Sequence, residues 1–170
     1  MNIAVVGLGF VGLSISSVLA SKNYNVVGID IDNQKCSDIR NGVLPLFEPG
    51  LENMLRAGLK KKLTVSNNFS LIKNCDMIFV TVGTPQKSNG AIELSMIKKA
   101  TTTIGQIIKK SKKNPIIFIK STVVPGTAQN VILPILEKKS GKKANRGFGL
   151  ISNPEFLQES NAIRATKYPH

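Results

Sequence analysis

Short apolar runs alternate along the chain with stretches of helical spacing. Ile3-Ala4-Val5-Val6 and Val26-Val27-Gly28-Ile29 read as two strands. Between them Val11, Ile15, Val18, Leu19 and Lys22 fall at helical spacing and predict a helix with one apolar face for the sheet. Asp32 or Asn33 can cap a second helix running to about Arg40, and residues 42–50, with two prolines, read as a loop. A helix is predicted from about Leu51 to Lys60, a short strand at Leu63-Thr64-Val65 and a short helix from Phe69 to Asn74. Residues 76–82 are almost continuously apolar, as in a strand buried on both faces of a parallel sheet. Leu94, Ile97, Ala100, Ile104, Ile107 and Ile108 mark a long amphipathic helix, followed by a strand at 115–120. Thr127 reads as the N-cap of a helix through Glu137, and Phe148 to Ile151 form a last strand. This alternation predicts an α/β, Rossmann-like doubly wound, mainly parallel sheet with right-handed crossovers and helices on both faces.

The first apolar run empties into Gly7-Leu8-Gly9-Phe10-Val11-Gly12, and the second stops at Asp30, eighteen residues after Gly12. Strand, glycine turn, helix, strand and carboxylate therefore come in the order of a dinucleotide site. One glycine makes the tight turn, one admits a pyrophosphate to the backbone, and one packs helix on strand. The helix N-terminus offers N–H groups and a positive dipole end to the phosphates. Asp30 would accept hydrogen bonds from the adenosine ribose hydroxyls, and its charge repels a 2′-phosphate, which selects NAD over NADP. Lys35 stands where it could pair with a cofactor phosphate or with Asp32.

Composition narrows the alternatives. The 170 residues suit one domain covering 1–170, and 42% hydrophobic against 19% charged residues allow a sizeable core. Cys36 and Cys75 lack CxxC spacing, and His170 is the single histidine, so neither a metal site nor a histidine triad is expected. No apolar run reaches the roughly 18–20 residues of a membrane span, and the N-terminus lacks a signal-peptide layout, so a cytoplasmic protein is expected. The net charge of +13 is concentrated in Lys60 to Lys62, Lys109-Lys110, Lys112-Lys113, Lys138-Lys139 and Lys142-Lys143. Each cluster follows a predicted helix, where lysines complement the dipole. With four arginines and no tryptophan, base readout has little to work with. The clusters read as solvated helix ends, and neither nucleic acid nor membrane is expected as a partner.

Candidate chemistry gathers at three strand ends on the edge where open α/β sheets bind ligands. These are Val82-Gly83-Thr84-Pro85, Ser121-Thr122-Val123, and Glu155 with Glu159. If the last segment is helical, its two carboxylates share one face about a turn apart. In a partly dry cleft they would raise each other's proton affinity, as suits a general base. The same pattern also fits exposed glutamates at a helix N-terminus.

These stretches, with Asp30-Ile31-Asp32, Phe47-Glu48-Pro49-Gly50-Leu51, Lys120 to Thr127 and Asn153-Pro154-Glu155-Phe156-Leu157, resemble the N-terminal domain of the UDP-glucose/GDP-mannose dehydrogenase family. They occur in the family's order and span essentially the whole chain. The Asn-Pro-Glu-Phe-Leu form is more similar to the UDP-glucose and GDP-mannose enzymes than to the UDP-N-acetylmannosamine branch, and UDP-glucose is the expected substrate, with GDP-mannose or a non-catalytic NAD-binding module as alternatives.

The resemblance implies NAD-dependent, four-electron oxidation of a nucleotide-sugar C6 alcohol to a carboxylate by a homo-oligomeric enzyme. It implies that Gly7 to Gly12 hold the pyrophosphate, Asp30 the ribose with Lys35 beside it, and Val82 to Pro85 and Ser121 to Val123 the nicotinamide side. Thr122 and Glu155 match residues that position and activate water for thioester hydrolysis. Glu159 matches a residue near both substrate and cofactor, and Glu155, Phe156, Leu157, Gln158 and Glu159 would border the substrate. The family often has Arg-Glu-Gly where this chain has Gln158-Glu159-Ser160. The family's nucleophilic cysteine, catalytic lysine and central helix have no counterpart here, so turnover by this chain alone is not expected.

Overall fold

The computed structural model describes residues 1–45, 47–154 and 162–168. Strands β1 (Asn2–Val6), β2 (Asn25–Ile29), β3 (Leu63–Ser66), β4 (Met77–Val80), β5 (Ile116–Ile119) and β6 (Gly149–Ser152) form one sheet in the order β3-β2-β1-β4-β5-β6. Every pairing is parallel. The α/β doubly wound expectation holds, and the sheet is wholly parallel.

The helices are α1 (Phe10–Ser21), α2 (Asn33–Arg40), α3 (Leu51–Leu59), α4 (Ser95–Lys109), α5 (Leu133–Ser140) and α6 (Ala162–Lys167), with a 3₁₀ turn at Phe69–Asn74. They make two cores, one on each face of the sheet. Ala4 and Val6 of β1 face the layer of α4 and α5, while Val5 faces the layer of α1 and α3. Strand side chains alternate between faces, so a central strand covered on both sides must be apolar throughout.

The local chemistry of the ends matches the sequence closely for α2. Asp32 is its N-cap and accepts the Lys35 N–H at 3.0 Å. Two expectations need correction. α1 is not apolar on one face only: Gly12 to Val18 and Ala20 are all buried, because the sheet covers one side and α3 and α6 cover the other. Its small residues permit that close approach, and the hydroxyls of Ser14, Ser16 and Ser17 have no hydrogen-bond partner among the described residues. Thr127 does not cap a helix through its side chain. A π-helical turn, Ala128–Ile132, leads into α5, which runs to Ser140 and stops at Gly141 in the left-handed region.

The loop after α2 is anchored to the end of the chain. Buried Glu48 accepts the Ala162 N–H at the start of α6 through Oε1 at 2.8 Å.

Candidate dinucleotide site

Chain direction across the sheet reverses between β1 and β4, because one half winds outward through β2 and β3 and the other through β5 and β6. Loops leaving the carboxyl ends of adjacent strands there diverge to opposite faces and open a crevice. A cleft of about 720 Å³ lies at that point and is within the range of small-molecule sites.

Gly7 leaves β1 at φ +98°, and a Cβ there would stand 2.9 Å from the Thr81 backbone. Gly12 sits against the turn so closely that a methyl group would overlap the Gly7 carbonyl oxygen. Gly9, the N-cap of α1, has nothing within 4 Å of its Cβ position and is open to the cleft. Among the described residues no side chain caps α1 and no acidic residue occupies its first turn, which leaves its N-terminal dipole available to an anion.

Leu8 is buried, with its side chain over Gly28, and its N–H donates to Asp30 Oδ2 at 2.8 Å. The same oxygen accepts from Lys35 Nζ at 3.1 Å, and Oδ1 accepts the Asp32 N–H at 3.1 Å. Asp30 is thus buried and held by three donors, with lone-pair capacity left on Oδ1. Lys35 pairs through its ammonium with Asp30, while Asp32 takes the Lys35 backbone N–H.

The other wall comes from β4 and β5. Ser121 Oγ donates to the Val82 carbonyl at 2.7 Å, and Thr84 Oγ1 donates to the Thr122 carbonyl at 2.7 Å. These bonds tie the two strand ends together, while the Thr122 side chain is exposed at the mouth. Lys120 Nζ reaches Asn153 Oδ1 at 3.1 Å, which draws the start of the β6 loop towards the same edge.

Of the residues expected from sequence, Gly7, Gly9, Phe10, Val11, Asp30, Lys35, Val82, Gly83, Thr84, Ser121 and Thr122 line the cleft. Leu8 and Gly12 act from behind it, and Pro85 and Val123 lie beyond the lining. Glu155, Phe156, Leu157, Gln158 and Glu159 fall outside the described residues.

The sequence reading missed two features. Thr81 Oγ1 bonds the Gly7 carbonyl at 2.7 Å and the Val6 carbonyl at 3.0 Å, so the side chain just past the end of β4 pins the glycine turn. Met96, Lys99 and Thr103 of α4 also border the cleft. Their helical spacing beside the core stripe was a readable signal. Thr81 offered none, since it lies inside an apolar strand run.

All 170 residues match the model of the UDP-glucose/GDP-mannose dehydrogenase family, NAD binding domain. The chain belongs to this family. It is 43% identical over 171 residues to a GDP-mannose 6-dehydrogenase of Pseudomonas syringae pv. tomato, covering 99% of this chain and 39% of that protein. It is 39% identical over 167 residues to the UDP-glucose 6-dehydrogenase TuaD of Bacillus subtilis, covering 97% and 35%. A GDP-mannose dehydrogenase from Pseudomonas aeruginosa, solved as a ternary complex, superposes with a TM-score of 0.96 at 38% identity, covering 99% of this chain and 39% of that one. The chain therefore spans between 35% and 39% of the length of these relatives.

The family domain binds NAD, and the residues present fit that cofactor. Gly9 leaves backbone open where a pyrophosphate must approach, α1 presents an uncapped N-terminus, and a buried carboxylate closes β2. Among the described residues no helix is long and apolar enough to cross a membrane.

Proposed function

We propose that this chain is the NAD-binding domain of a GDP-mannose 6-dehydrogenase. The observation that carries the cofactor half is the Leu8–Asp30 bond, which fixes the glycine turn and the ribose carboxylate as one unit at the sheet's switch point. Sequence similarity supports the sugar assignment. GDP-mannose 6-dehydrogenases stand at up to 43% identity, against 39% for the UDP-glucose enzyme TuaD, and this favours GDP-mannose over the UDP-glucose expected from sequence.

In this reading the open backbone around Gly9 and the N-terminus of α1 bind the pyrophosphate. Asp30 accepts a ribose hydroxyl through Oδ1, and Lys35 neutralises its Oδ2 side. Gly83, Thr84 and Ser121 form a wall whose hydroxyls are already committed to the backbone, so it is shaped before ligand arrives. Bound NAD supplies the hydride acceptor for oxidation of the sugar C6. The exposed hydroxyl of Thr122 is free to orient a water at the mouth, and Glu155 and Glu159 are the proposed carboxylates for activating it and contacting substrate.

The test has two parts. NAD should bind the isolated chain. The product of the complete reading frame, assayed with each nucleotide sugar, should form NADH faster with GDP-mannose than with UDP-glucose. The opposite preference overturns the sugar assignment alone.

A further inference from the structure

Lysine runs that are far apart in sequence share one edge of the fold. Each helix of a doubly wound sheet returns the chain to the N-terminal edge of the strands, and the runs lie in those returns. Residues 60–62 precede β3, 109–113 precede β5, and 138–146 precede β6. Direct bonds join them to their neighbours: Lys142 Nζ donates to the Ser111 carbonyl at 2.9 Å, Lys62 Nζ to Asn25 Oδ1 at 3.1 Å, and Lys22 Nζ to the Lys167 carbonyl at 3.4 Å.

With Lys22, Lys73 and Lys167, fifteen of the 23 Lys and Arg residues stand at this edge. Among the described residues its carboxylates are Asp76 and Glu137, paired with Lys113 and Lys143. Fifteen cations less these two carboxylates leave +13, equal to the formal charge of the entire chain. Helix dipoles do not account for this excess. Five helix C-termini at roughly half a negative charge each offset only about 2.5 of it.

We propose that this edge docks the domain on an anionic lipid bilayer, with the cofactor cleft turned away from the membrane. The charge is carried mainly by lysine, which suits headgroup attraction more than base recognition. Exposed Met1, Leu71 and Tyr168 lie among the lysines and can enter the headgroup layer, with Lys167 over the Tyr168 ring at 5.4 Å. Six strands side by side make a row about 24 Å wide, a broad base rather than a groove.

The test is flotation of the 170-residue chain with vesicles of equimolar phosphatidylcholine and phosphatidylserine. Binding should be absent with phosphatidylcholine alone and should fall steeply with salt. Reversing Lys61→Glu, Lys110→Glu and Lys138→Glu together should weaken it by more than roughly a hundredfold, at about fivefold for each cation lost with the added repulsion of three carboxylates, and leave NAD affinity unchanged. Lys98→Glu, on the α4 half nearer the cleft, should change it less than about twofold. If the triple reversal fails to fold, the corresponding triple glutamine variant should lose roughly a hundredfold. Equal binding to uncharged vesicles, no binding to anionic ones, or retention that ignores the lysine changes overturns the proposal. Tighter binding to a random-sequence DNA duplex than to the vesicles at equal salt overturns it as well.

Discussion

The Leu8 N–H donates to Asp30 Oδ2 at 2.8 Å, so the glycine turn after β1 and the carboxylate after β2 are one hydrogen-bonded unit. Asp30 is buried, and a buried carboxylate is tolerated only when donors replace its water. Leu8, Asp32 and Lys35 do so, and the geometry of the cleft is fixed by the same bonds.

Gly9 and Gly12 should separate binding from stability. Gly9→Ala meets open space at an ordinary φ of −80°, so thermal stability should stay within about 0.5 kcal/mol. The added methyl projects where the pyrophosphate approaches, and NAD affinity should fall more than roughly tenfold, or about 1.4 kcal/mol. Gly12→Ala overlaps the Gly7 carbonyl and should cost about 1–3 kcal/mol of stability as well. Thermal melts and NAD titrations of both variants check this.

Thr81→Val removes the hydroxyl that pins the Gly7 and Val6 carbonyls while keeping the side-chain shape. A stability loss of about 1–2 kcal/mol is expected, with weaker NAD binding. Denaturant unfolding measures the first and calorimetry the second.

Most of this architecture was legible because it rests on local patterns. The apolar run at 76–82 announced a strand covered on both faces, and β4 is one. Asp30 and the three glycines were readable because their spacing is set by one strand–turn–helix–strand unit. Thr81 was not, since its role depends on β4 lying beside β1, a contact between residues more than 70 positions apart. The burial of α1 from Gly12 to Val18 was hidden for the same reason: α3 and α6 pack on the helix that carries these polar-looking serines. The gathering of the lysine runs depends on every crossover at once.

Acid should loosen the start of β1. The Lys113 hydrogen bond, followed by the Asn2 N–H, holds the Asp76 carboxyl below the usual carboxylate range. A depressed carboxyl contributes stability above its unfolded pKa and loses it as pH falls through the folded one. Melting temperature should therefore drop below the ordinary carboxylate range by less in Asp76→Asn than in the parent. Melts across an acid pH series check the difference.

Both thiols should be inert in the folded chain. Burial pushes the Cys75 thiol up to about 11 and raises that of Cys36 above its ordinary value. The thiolate is the reactive form, so labelling by a thiol reagent at neutral pH should be slow until denaturant is added. Mass spectrometry of each cysteine before and after unfolding reads this.

Calorimetric titration of NAD into the parent chain and into Asp30→Ala tests the central claim most directly, with circular dichroism as the check on folding. The parent should bind one NAD, and the folded variant should bind it at least about tenfold more weakly, a loss of about 1.4 kcal/mol. Equal affinity in the two, or no binding by the parent, would contradict the cleft at Leu8 and Asp30 as the cofactor site.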